Sequence, residues 1–172
     1  MKAAGISMPM FFFGTLMDAD VLALVLGHSL DAVRTEPALV RGVRRVHVAG
    51  RSYPMLRPHP GGRVEGHLVG GLTPLDRARL AYYEGWEYDV GTIAAIDSAG
   101  RMVTAGIYVC PPQIQADERV WRLDRWQSVH KSVYLPRLRL LMDGFDPAAT
   151  GNDGAKRPPM APGAMRGRRS AG

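Results

Sequence analysis

The chain has 172 residues, of which 46% are hydrophobic, and one cysteine, Cys110. This length and composition predict one compact domain, and a lone cysteine without neighbouring metal ligands favours a cytoplasmic protein with neither a disulfide nor structural zinc. Residues 151–172 carry five basic residues and one acidic residue, so +4 of the net charge of +6 lies there, and the remaining +2 does not indicate a nucleic-acid-binding domain.

The two ends of the chain are read differently from its middle. Residues 151–172 are rich in Gly, Pro and Ala, so we predict a disordered basic tail behind a domain of residues 1–150. Residues 3–13 form an apolar stretch that is interrupted by Pro9 and lacks a small-residue cleavage site, which favours a buried strand over a signal peptide. No apolar run reaches the roughly 20 residues that cross a bilayer, so we expect no membrane partner.

The first elements are a strand, a tight turn and a helix. Residues 8–13 predict a buried strand that runs into residues 14–16, and Asp18 then caps a short helix that ends at Gly27. The apolar residues of this helix recur at helical spacing: Val21, Leu22, Val25 and Leu26.

The next segment contains two extended patterns. Residues 40–48 predict a strand in which valines alternate with polar residues such as Arg45. Residues 53–62 hold three prolines and two glycines, which predict a loop. Residues 64–72 return to an extended pattern, and their glycines indicate bulges or close backbone approach.

A second helix begins at Thr73, which we predict as the N-cap. Pro74 suits the first helical position, Asp76 completes a capping box, and Gly85 marks the end. Residues 88–96 and 102–110 then predict two strands of a hairpin.

A helical region follows residue 112, and we expect Pro136 to kink or split it. Its apolar residues at helical spacing are Trp126, Val129, Val133 and Leu141. Several strands with few helices, without strict βαβ alternation, predict an α+β domain with a mostly antiparallel, curved sheet.

Two segments carry the candidate chemistry, because the sequence has no serine-hydrolase elbow, zincin motif, Walker loop or dinucleotide fingerprint. Residues 11–16 place Gly14 and Thr15 where a strand turns into a helix, and such a turn exposes backbone N–H groups to a carboxylate or an oxyanion. A plain strand-to-helix corner is the alternative. Residues 82–88 place Glu84 at a helix end among aromatic residues, which either raise its pKa by desolvation or leave it solvated.

Together these segments resemble the gamma-glutamylcyclotransferase-like family, which includes gamma-glutamylamine cyclotransferases and avirulence-induced plant proteins. Members have a strand followed by Tyr-Gly-(Ser/Thr)-Leu, a Gly-containing strand, a Tyr-Pro with a proline-rich loop, a Val-x-Gly strand, and a helix ending in Glu-Gly with a tyrosine soon after. The matching residues here are Phe13-Gly14-Thr15-Leu16, Gly42, Tyr53-Pro54, Pro58 and Pro60, Val64-Glu65-Gly66, Glu84-Gly85 and Tyr88. The resemblance spans residues 8–140.

Three departures from the family pattern concern the site. Phe13 replaces the family's tyrosine, Ala81 replaces an aspartate of a Leu-Asp pair, and some members place the acidic residue slightly differently, which keeps Glu87 as a second catalytic candidate.

The resemblance implies a small, closed or nearly closed β-barrel with flanking helices, present as a monomer or weak homodimer. It implies an enzyme that cyclises a gamma-glutamyl amide or amine to 5-oxoproline, without metal or cofactor, with Glu84 as the catalytic acid/base. It assigns substrate binding to six residues: Phe13, Gly14, Thr15, Leu16, Tyr53 and Tyr88. The alternative is a non-catalytic member of the fold that binds a small carboxylate ligand or a protein partner.

Overall fold

A computed structural model of the protein describes residues 7–85 and 88–151. Within these residues one sheet contains β1 (Met10–Phe12), β2 (Arg34–Val48), β3 (Pro54–Gly70), β4 (Asp89–Asp97), β5 (Met102–Val109) and β6 (Ala116–Val120). The strand order is β3-β1-β5-β4-β2-β6, and β2 also pairs with β3. That pairing closes the first five strands into a barrel and leaves β6 as an extension of β2. All pairings are antiparallel except β1 with β5, so the predicted α+β fold with a mostly antiparallel barrel is confirmed.

Four α-helices flank the barrel: α1 (Ala19–Leu26), α2 (Pro74–Glu84), α3 (Leu123–Val129) and α4 (Lys131–Asp143). The predicted helix ends are confirmed: Asp18 caps α1, Gly27 ends it with a φ of 79°, and Thr73 and Asp76 form a capping box on α2. No helix of the described residues is long and apolar enough to span a membrane.

The helices share one core with the barrel wall, and a second core fills the barrel. A buried carboxylate, Asp18, locks the helical layer, because it accepts hydrogen bonds from Gln127 Nε2 at 2.7 Å and Lys131 Nζ at 2.8 Å. Burial acts to raise the pKa of Asp18, but the hydrogen bonds from Lys131 and Gln127 hold this pKa below its usual value. The start of α1 is thereby fixed to α3 and α4.

The loop predicted for residues 53–62 is wrong, because β3 runs through Pro54–Gly70 and forms a long hairpin with β2. Pro54 and Pro58 fit this strand because residues 54–58 pair only with β2, whereas β1 pairs further along, at residues 67–69. Pro60 lies between the register pairs of Pro58 and Arg63, in the bulge. Proline is tolerated where a strand has a partner on one side only. The register shifts between Arg41 and Val43, where the extra residues of β3 bulge out.

The helical region after residue 112 also differs from the prediction. It begins with β6, and the helical path breaks at His130, whereas Pro136 lies inside α4 without splitting it. Val129 and Val133 are 55% and 54% exposed, so the predicted core positions at these two residues are wrong. The buried face is formed by Trp126, Tyr134, Leu138 and Met142.

Candidate functional site

A cavity of about 320 Å³ opens at the end of the barrel where β1 and β5 finish and β3 begins. The residues predicted for the site all line it: Phe13, Gly14, Thr15, Leu16, Tyr53, Glu84 and Tyr88. Their roles stay predictions. Glu87, the alternative catalytic residue, lies outside the described residues, as do residues 152–172 of the predicted tail.

The turn at Gly14 leads from β1 into one turn of 3-10 helix, Thr15–Met17, and then into α1. The Met17 N–H donates to the Gly14 carbonyl and the Asp18 N–H to the Thr15 carbonyl, each at 3.0 Å. Neither bond uses the N–H groups of Gly14, Thr15 or Leu16, which are predicted from the sequence as donors to a carboxylate or oxyanion. The first N–H groups of α1 are already capped, because Asp20 and Val21 donate to the Asp18 carboxylate at 3.1 Å.

Gly14 is required for space rather than for an unusual backbone conformation. Its φ is −124°, which other residues adopt. A Cβ at this position would lie 3.0 Å from Cγ of Pro54, the first residue of β3. The Cβ of any other residue would therefore press against Pro54, on the other side of the cavity.

Glu84 is the last residue of α2, is partly buried and lines the same cavity as the turn. Its negative charge contributes to raising the pKa values of Tyr88, Tyr108 and Cys110, which lie on the cavity wall. Among the lining residues, all within the described chain, none is Lys, Arg or His and Glu84 is the single carboxylate. The cavity thus offers one acid/base group to a bound cation.

Tyrosine hydroxyls link the two sides of the site. The Tyr83 hydroxyl lies 2.8 Å from Thr15 Oγ1 and 2.6 Å from the Tyr134 hydroxyl, and all three side chains are buried. Thr15 follows Gly14 and Tyr83 precedes Glu84, so this cluster joins the turn to the end of α2. Burial raises the pKa values of Tyr83 and Tyr134, which therefore stay protonated at neutral pH.

The remaining polar groups of the wall are neutral. Burial raises the pKa values of Tyr88 and Tyr108, so their hydroxyls remain protonated at neutral pH, and the Tyr88 hydroxyl is hydrogen-bonded with Tyr53. Burial also raises the pKa of Cys110, whose thiol lies within hydrogen-bonding reach of Tyr88. A thiol without a thiolate is a poor nucleophile. Among residues 7–85 and 88–151, no three His, Cys, Asp or Glu side chains group as metal ligands would.

Sequence reasoning missed several wall residues. Tyr83 stood within the quoted aromatic segment, but no pattern pointed to Tyr108 or Tyr134, which reach the site through the fold. Aliphatic and aromatic side chains of the barrel close the rest of the cavity: Phe11, Val43, Leu56, Ile93 and Ile107.

Comparison with known proteins agrees with this architecture. The family model described as gamma-glutamyl cyclotransferase, AIG2-like matches residues 10–128. AIG2-like protein A of Arabidopsis thaliana is 26% identical over 149 residues, which cover 83% of this chain and 87% of that protein. Protein AIG2 C of the same plant is 22% identical, with 77% of this chain and 80% of that protein covered.

Solved structures show the same fold. The solution structure of an Arabidopsis thaliana protein, 21% identical, has a TM-score of 0.57 and covers 83% of this chain and 86% of its own. A structure named gamma-glutamyl cyclotransferase, 13% identical, has a TM-score of 0.53 and covers 63% of this chain and 69% of its own. Because the family model spans more than half of the sequence, this chain belongs to the gamma-glutamyl cyclotransferase, AIG2-like family.

Proposed function

We propose that this protein is a cyclotransferase that converts a gamma-glutamyl amide or amine into 5-oxoproline and releases the amine. The observation that carries the proposal is the position of Glu84, which lines one cavity together with the residues of the Gly14 turn. Glu84 on one wall can thus exchange protons with the substrate, while the Gly14 turn on the other wall holds the negative charge of the substrate.

The reaction requires protons to move from the attacking nitrogen to the departing one. The substrate's α-amine is protonated at neutral pH, so the Glu84 carboxylate first accepts one proton, and the free amine then attacks the γ-carbonyl carbon, whose π electrons move onto its oxygen. The protonated Glu84 donates this proton to the departing nitrogen and then accepts the second proton that the ring nitrogen carries after the attack. The oxyanion re-forms the carbonyl, the C–N bond breaks, and Glu84 passes the second proton to the released amine, which regenerates the carboxylate. General acid/base help of this kind contributes typically ~10²–10⁴ in rate.

The rest of the site positions the substrate. The backbone N–H groups of Gly14, Thr15 and Leu16 hold the substrate's carboxylate or the tetrahedral oxyanion. Neutral hydroxyls of Tyr88 and Tyr108 lie on the cavity wall with the Glu84 carboxylate, and surrounding apolar side chains limit access of water. In such surroundings each charge–dipole contact is stronger than in water.

Support comes from the family description and from a structural relative named gamma-glutamyl cyclotransferase, while the plant relatives' names state no activity. Phe13 removes the hydroxyl that the family carries before the glycine, which leaves Glu84 as the group on which turnover depends. The contrasting outcome is a member of the fold that binds a carboxylate ligand without converting it.

The test is a panel of gamma-glutamyl amines, amino acids and peptides assayed for release of 5-oxoproline by wild-type protein, with Glu84→Gln as the matched blank. We expect at least one member to be turned over by the wild type, and Glu84→Gln to turn it over slower by about 10²–10⁴. Ligands that raise the melting temperature of the wild type without releasing 5-oxoproline would instead identify a binding protein.

A further inference from the structure

A half-buried cation, the guanidinium of Arg45, contacts the Gly14 turn. Arg45, in β2, donates from Nη1 to the Phe13 carbonyl at 2.8 Å and to the Glu65 carbonyl at 3.1 Å. The same nitrogen lies 3.6 Å from Met17 Sδ, at the far end of the turn. The guanidinium also stacks over Trp121, 5.3 Å from the ring centre. Arg45 therefore touches both ends of the turn without lining the cavity.

Among the described residues no carboxylate lies within 4 Å of this guanidinium, and its buried Nε has no hydrogen-bond partner. Burial lowers the pKa of Arg45, and the more distant charge of Glu65 acts in the opposite direction. A half-buried charge without an ion pair is stabilised when an anion approaches it. The turn that Arg45 contacts lines the cavity.

The peptide between Phe13 and Gly14 connects the cation to the cavity. The carbonyl and the N–H of a trans peptide point in opposite directions, so the Gly14 N–H points away from Arg45. A charged donor on the carbonyl polarises the peptide and strengthens its N–H as a donor to an anion. The cavity, whose described lining has no cationic side chain, obtains positive potential in this way.

We infer that Arg45 is a positioning residue that strengthens binding of the substrate's α-carboxylate through the Phe13–Gly14 peptide, without touching the substrate. This inference rests on the proposed function, since it takes the α-carboxylate to be the anion at the turn. It predicts that replacing Arg45 weakens the binding of ligands that carry the carboxylate and not of ligands that lack it. A purely structural role of Arg45 would affect both kinds of ligand.

The experiment compares two ligands that differ by that group: 5-oxoproline, and 2-pyrrolidinone, which has the same ring without the carboxylate. Dissociation constants are measured by NMR titration for wild type, Arg45→Met and Arg45→Lys. Arg44→Met is the control, since the neighbouring Arg44 pairs with Glu118 and neither lines the cavity nor donates to the Phe13 carbonyl. We expect Arg45→Met to weaken 5-oxoproline binding about 10- to 100-fold, as for loss of a charged hydrogen bond, with 2-pyrrolidinone binding unchanged.

Arg45→Lys should recover part of the loss, and Arg44→Met should behave as the wild type. If Arg45→Met weakened binding of both ligands equally, or of neither, the inference about Arg45 would be overturned. The proposed function would still stand in that case, provided that the wild type releases 5-oxoproline. A wild type that neither binds 5-oxoproline nor releases it from any gamma-glutamyl compound would overturn both. If Arg45→Met does not fold, Arg45→Gln replaces it with the same expectations, because it keeps hydrogen bonding and removes the charge.

Discussion

The hydroxyl pair of Tyr83 and Tyr134 allows a quantitative test of how the helices hold the site. The two oxygens are 2.6 Å apart, and the side chains are only 4% and 7% exposed. Replacing either residue by Phe leaves the other hydroxyl buried without this partner, which costs about 1–3 kcal/mol. The hydrogen bond between the two tyrosines is lost in each single variant and only once in the double variant, and the contact of Tyr83 with Thr15 is lost wherever Tyr83 is replaced. The double variant should therefore lose less than the sum of the single losses.

The free energy of unfolding is measured by urea denaturation for Tyr83→Phe, Tyr134→Phe and the double variant. We expect an interaction energy of about 0.5–3 kcal/mol between the two positions. Tyr108→Phe is the matched control, because no hydrogen bond of the Tyr108 hydroxyl is found within the described residues and its loss should cost less than about 0.5 kcal/mol. Single losses that add within about 0.3 kcal/mol would refute the role of this hydrogen bond.

Gly14→Val should abolish binding of 5-oxoproline in an NMR titration while the protein stays folded, because the valine Cβ would lie 3.0 Å from Pro54 Cγ. Normal binding by this variant would show that the carboxylate binds somewhere other than the Gly14 turn. His28 donates to the Ser29 carbonyl and to Asp76, which raises the pKa of His28 in the folded state above its ordinary value. This contribution to stability is complete below about pH 6.5 and is lost as the pH rises through the folded pKa of His28. The urea midpoint of the wild type should therefore fall between pH 6 and 9, and His28→Asn should show a smaller fall. Removing residues 151–172 should leave the melting temperature and turnover unchanged, because their composition cannot support a packed core; a large drop would show that they dock on the domain.

Local chemistry made the helix ends predictable from sequence. Asp18, Gly27 and the Thr73–Asp76 capping box each act within a few residues of their own position, and all three appear where predicted. The Gly14 turn and Glu84 were also visible, because each stands at a junction between two local patterns. The family resemblance supplied the expectation that these two segments meet.

Long-range pairing was not visible in the same way. The prolines of residues 54–60 favour a loop locally, and only the pairing with β2 makes this segment a strand. Tyr134 reaches Tyr83 from 51 residues away, so no spacing pattern could connect them. Arg45 alternates with valines like a solvent-facing residue, yet the curvature of the barrel places its guanidinium against the turn. The helical break at His130 likewise hid which face of α4 is buried.

Steady-state release of 5-oxoproline by Glu84→Gln and Glu87→Gln tests the central claim most directly, using the gamma-glutamyl compound that the wild type turns over best. The two changes are chemically identical, three residues apart, and each removes a proton-transferring carboxylate. We expect Glu84→Gln to lower kcat by about 10²–10⁴ while keeping 5-oxoproline binding, and Glu87→Gln to cost much less. Loss of activity in Glu87→Gln alone would place the acid/base group at Glu87, and full activity in both variants would contradict acid/base catalysis by either carboxylate.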